Sequence, residues 1–217
     1  MPSWREWRES RTLRAQAQAY VATLSREPVP DDVAWLAQHG TGGDTDHARW
    51  ELRYARRALG LVTAQRDALN DRTASVVVRA IAYGLAHDPA IAAGKLRVAE
   101  RQFNARLRGY ADALSNRAGE GSGWHLGRAL LEFAGRREAV RAEDVARASE
   151  ILTRYLAEGN AALREHFGAA ALPEDDTPST LRHAEESLPD GSHLPDGMVE
   201  EGCFPATRRA PLTHCPT

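Results

Sequence analysis

The chain has 217 residues, 42% hydrophobic and 27% charged, with a formal net charge of −2. This composition fits a globular protein with a sizeable core and excludes a global electrostatic drive toward nucleic acid or an anionic membrane. Its two cysteines, Cys203 and Cys215, exclude a disulfide framework over residues 1–202.

No apolar stretch approaches the about 20 residues needed to span a bilayer. The N-terminal "MPSWREWRESR" has no apolar h-region, so a cytoplasmic chain is expected.

Proline is absent between residues 31 and 172 except at Pro89, which leaves room for long helices. Ser3 followed by Glu6 predicts a capping box and a first helix over residues 3–26. "PVPDDVAWLAQHG" predicts a short helix with Asp31 or Asp32 near its start and Gly40 at its end. After the loop "TGGDTD", residues 46–69 predict a helix whose apolar stripe is Leu52, Ala55, Leu59 and Val62. Asn70-Asp71 breaks or bends it.

Asp71 opens a helix over 71–87 with Val77, Ile81 and Leu85 in line. Val76, Val77 and Val78 taken alone favour strand, but the alanines around them favour helix, and the longer pattern decides. Asp88-Pro89 predicts an N-cap and a proline at the first helical position. The helix expected over 89–116 carries a heptad-like seam of Leu96, Phe103, Leu107, Tyr110 and Leu114. Ser122 is the expected cap of a helix over 123–135. A last helix over 142–168 carries Val145, Ala148, Leu152 and Tyr155 in register. Beyond Leu172, Pro, Asp, Glu, Ser and Thr dominate, which predicts a disordered acidic tail over 172–217 behind a helical domain over 1–171.

The small net charge hides a segregation. Residues 46–118 hold thirteen basic and seven acidic side chains, whereas 173–217 hold three basic and nine acidic ones. Of the 28 basic residues only Lys95 is a lysine. A basic body beside an acidic tail reads as solubility, or as a tail that competes with an anionic partner.

The densest stretch is "DHARWELRYARRALG", residues 46–60. Arg49, Arg53 and Arg56 or Arg57 share a helix face, with Trp50 and Tyr54 as an adjacent aromatic ridge. Arginines interleaved with aromatics can bind phosphates and stack on bases. The simpler expectation is a solvated arginine face beside the core stripe.

His47 and Glu51 sit at i and i+4, but zinc needs three or four ligands, and no HExxH occurs. Glu100 and Glu132 lie inside apolar runs, which puts them at the stripe edge or makes them inward acids in need of partners. Convergence of Glu51, Glu100 and Glu132 would favour an enzyme. Gly94-Lys95 lacks the upstream glycine of a phosphate-binding loop, and Ser122 has Glu120 where a nucleophile elbow needs glycine.

Together these features predict an all-α fold: a single antiparallel bundle-like domain of six or seven helices with an acidic tail. The expected function is a non-enzymatic cytoplasmic interaction or assembly protein that self-associates, with a protein partner or a second copy, no membrane and no cofactor. The alternative is a nucleic-acid-binding module over 46–118, using Arg49, Trp50, Arg53, Tyr54, Arg56 and Arg57, with the tail as an autoinhibitory mimic. A metal-dependent helical enzyme stands third.

Overall fold

A computed structural model describes residues 4–67, 71–92, 94–116, 119–136 and 140–168. Among them 82% are helical, in seven helices, with no strand. In chain order these are α1 (Trp4–Leu24), α2 (Pro30–His39), α3 (Thr45–Asp67), α4 (Asp71–Ala86), α5 (Leu96–Ser115), α6 (Ser122–Phe133) and α7 (Ala142–Phe167). The Ser3 cap, the break at Asn70 and the tail over 172–217 lie outside the described residues.

α3 is the axis. It packs against each of the other six helices, and α1, α4, α5, α6 and α7 close a ring around it in that order. α2 lies on α3 and reaches α7 through Asp32, which pairs with Arg147 and Arg154. An axial helix must be small enough for its neighbours to approach, and α3 supplies Ala48, Ala55, Ala58, Gly60 and Ala64, all buried. At Gly60 the side chain of Leu24 fills the space that a Cβ would need, and Gly159 of α7 faces the same point. Tyr20 seals this crossing by donating its hydroxyl to the Gly60 carbonyl at 2.8 Å.

The expected stripe on α3 is only part of what is covered. Leu52, Ala55 and Leu59 are fully buried, while Val62 is half-buried and Leu61 is deeper than it. On α4 the expected line Val77, Ile81 and Leu85 is the buried face, so the helical reading of the valine run holds.

The expected helix over 89–116 starts later. Asp88 accepts the Ala90 N–H at 3.0 Å, and the Ile91 N–H turns back on the Asp88 carbonyl. A second turn follows, with the Lys95 N–H on the Ala92 carbonyl and Gly94 left-handed at φ +80°, and α5 begins at Leu96. Ser122 is the first residue of α6 rather than its cap, behind Gly121 at φ +88°.

Candidate functional site

α3 carries the arginine-rich stretch, and its position on the axis divides those side chains. Arg49 pairs with Asp46 at 2.7 Å at the surface. Arg53 pairs with Glu27 and lies over the Trp50 ring, 5.0 Å from its centroid. Arg56 and Arg57, expected on a solvated face, are buried instead. The reason is that α3 is covered on every side over residues 54–61, so these stems cannot lead their heads out to water. Arg56 meets Glu158 of α7 at 2.9 Å, donates to the Arg26 carbonyl at 3.0 Å and stacks 4.3 Å from the Tyr155 ring centroid. Arg57 meets Asp88 at 2.9 Å.

Glu51 is another inward charge, 2% exposed. Arg106 of α5 donates to both of its oxygens, through Nε at 2.9 Å and through a second nitrogen, and His47 Nε2 lies 3.2 Å away. Burial alone would lower the Arg106 pKa, but its bonds to Glu51 outweigh that and hold it above the ordinary value. The Tyr54 phenol is pushed up, first by burial, with Arg106 opposing.

The three acids flagged in the sequence lie in different surroundings. Glu51 sits in this knot. Glu100 faces a groove between α4 and α5, and Glu132 pairs with Arg128 at 3.0 Å at the surface. Among the described residues no group of three His, Cys, Asp or Glu side chains is placed to hold a metal ion.

Beside the Glu51 knot lies a cleft of about 340 Å³. Trp50 and Tyr54 form one wall, their ring centroids 5.4 Å apart. Ile91 and Ala99 supply apolar surface from the α4–α5 connection and from α5. Lys95 and Gln102 bring polar heads, and Gln102 Oε1 accepts the Tyr54 hydroxyl at 3.3 Å. The sequence points to Trp50 and Tyr54 but not to Arg106, Lys95 or Gln102 as their neighbours. One signal was present for Lys95: it is the single lysine of the chain, and it follows a glycine.

A second concavity, about 240 Å³, opens between α4 and α5. Leu61, Ile81, Leu85 and Phe103 form its buried floor, with Val78 and Leu107 at less buried positions on its walls. No helix among the described residues is long and apolar enough to cross a membrane. Compared with protein-family models, with curated proteins and with solved structures, the chain matches none.

Proposed function

We propose that the protein is a non-catalytic assembly protein that associates with a second copy of itself through the α4–α5 face. The observation that carries this reading is the groove between those helices together with the outer face of α4. Ser75, Val78, Ala82 and Ala86 are exposed there at spacings of three and four, so they form one uncharged stripe. The stripe itself carries no charge, and the charges that border it, Arg79 on α4 and Glu100 at the groove, are of opposite sign, so that a two-fold interface can pair them rather than set like charges together. Larger side chains of the partner copy would enter the groove beside it.

The nucleic-acid reading is the weaker proposal. Arg56 and Arg57 are engaged inside the fold, which leaves Arg49 and Arg53 with Trp50 at the surface, each already paired with an acid.

The test is the solution mass by light scattering across a range of concentrations. The expected result is a dimer that Ala82→Glu converts to a monomer with unchanged helical circular dichroism, because residue 82 is exposed. A wild-type monomer at every concentration overturns the proposal.

A further inference from the structure

The cleft beside Trp50 and Tyr54 is independent of the α4–α5 face and has features of a ligand site. Its volume, about 340 Å³, falls within the range of small-molecule pockets, and its lining is mainly apolar with a few polar groups. The question is which ligand chemistry those groups select.

A cation is disfavoured on three counts. The acid in the lining, Glu51, has both oxygens engaged by Arg106 and one of them also by His47. The Trp50 ring already carries the Arg53 guanidinium, 5.0 Å from its centroid. The Tyr54 ring carries that of Arg106, at 5.7 Å. The aromatic wall therefore has its cation–π attraction taken up from within the protein.

The charge left over is positive. Lys95 lines the cleft and makes no ion pair among the described residues. The Gln102 side-chain oxygen is used by Tyr54, which turns the amide's NH₂ into the group left to donate. An ammonium and an amide donor at the edge of an aromatic and aliphatic slot match an anion attached to a flat apolar body.

We propose that this cleft binds a small organic carboxylate with a planar apolar body. The ring lies between the Trp50–Tyr54 wall and Ile91 with Ala99, and the carboxylate meets the Lys95 ammonium and the Gln102 amide. The Arg57–Asp88 pair holds the connection that brings Ile91 and Lys95 to the slot.

The experiment titrates the full chain with 2-naphthoate, following the indole N–H resonances and identifying that of Trp50 by its loss in Trp50→Phe. Acetate and 2-naphthylmethylamine serve as controls for the charge without the ring and the ring with the opposite charge. Saturable binding of 2-naphthoate that shifts the Trp50 resonance is expected, with both controls binding at least about tenfold more weakly, the equivalent of about 1.4 kcal/mol.

Lys95→Gln should weaken 2-naphthoate by a similar factor, and Lys95→Arg should restore most of the affinity because it keeps the charge. Lys95 is exposed and makes no ion pair among the described residues, so both variants should melt with the wild type. Absence of saturation at millimolar 2-naphthoate, equal binding of the amine, or an unaltered affinity in Lys95→Gln would each overturn the proposal. Since none of these readouts depends on oligomeric state, failure here is distinguishable from failure of the dimer.

Discussion

The Arg57 guanidinium donates to the Asp88 carboxylate across 2.9 Å, tying the axial helix to the connection that borders the cleft. Both side chains are nearly enclosed, 8% and 9% exposed. The same carboxylate accepts the Ala90 N–H, so one acid both anchors the connection and shapes its turn.

Removing one member of such a pair leaves the other buried without compensation. Asp88→Ala should therefore destabilise the fold by about 3–5 kcal/mol, well beyond the about 1 kcal/mol of a lost helix cap. Chemical denaturation checks this. A loss of the size of a cap alone would mean that Arg57 finds water or another acceptor when Asp88 is gone.

Acid should act through the same carboxylate. Burial by itself raises the Asp88 pKa, but the Arg57 hydrogen bond, the Ala90 N–H and the charges of Arg57 and Arg53 together bring it below the ordinary value. A depressed folded pKa contributes stability that is fully present above the unfolded value, about 3.9, and is lost as pH falls through the folded one. Melting temperature should fall on acidification below about pH 4. Asp88→Asn should flatten that part of the profile, and an unchanged acid limb in this variant would count against the assignment.

Two buried tyrosines should respond oppositely to loss of the hydroxyl. Tyr20 donates to the Gly60 carbonyl at 2.8 Å, so Tyr20→Phe should cost about 1 kcal/mol. The Tyr110 hydroxyl is buried without a hydrogen-bond partner among the described residues, and burial raises its pKa well above the ordinary value. Tyr110→Phe should be neutral or stabilising, because it removes a polar atom that gave up water for nothing. Urea denaturation of the two variants gives the comparison, and the reverse order would contradict it.

Gly127 is where α6 meets the backbone of α7. A Cβ there would collide with the Val145 carbonyl oxygen and lie 3.0 Å from the Ser149 nitrogen. Backbone cannot rotate away as a side chain can. Gly127→Ala should cost at least the about 1–3 kcal/mol of core overpacking, despite alanine's better helix propensity. Gly123→Ala, one turn earlier, meets only the Ser149 hydroxyl and should be milder. Thermal melts of both variants test the ranking.

Helix type and register were legible wherever a single face is buried. Val77, Ile81 and Leu85 on α4 and Val145, Ala148, Leu152 and Tyr155 on α7 repeat at three and four residues, and both sets are core. That information is local, because the 3.6-residue period alone decides which side chains share a face. Asp88-Pro89 shows the limit of local signals. The capping bond forms, yet no helix grows from it: a separate turn over Ala92–Lys95, with Gly94 left-handed, comes before α5.

Half of the candidate cleft could be read in the same way. Trp50 and Tyr54 form an aromatic ridge from their spacing alone. Lys95, Gln102 and Arg106 join them only because α5 folds back along α3. Likewise the partners of Arg57, Glu51 and Arg56 lie 31, 55 and 102 positions away in the chain. Periodicity along one helix reveals the face that is apolar, but how many neighbours cover the remaining faces is a property of the assembled ring. The chain by itself determined an all-α fold of six or seven helices and most of their inner faces. Tertiary packing decided that α3 is the axis, and so turned arginines expected in water into internal ion pairs.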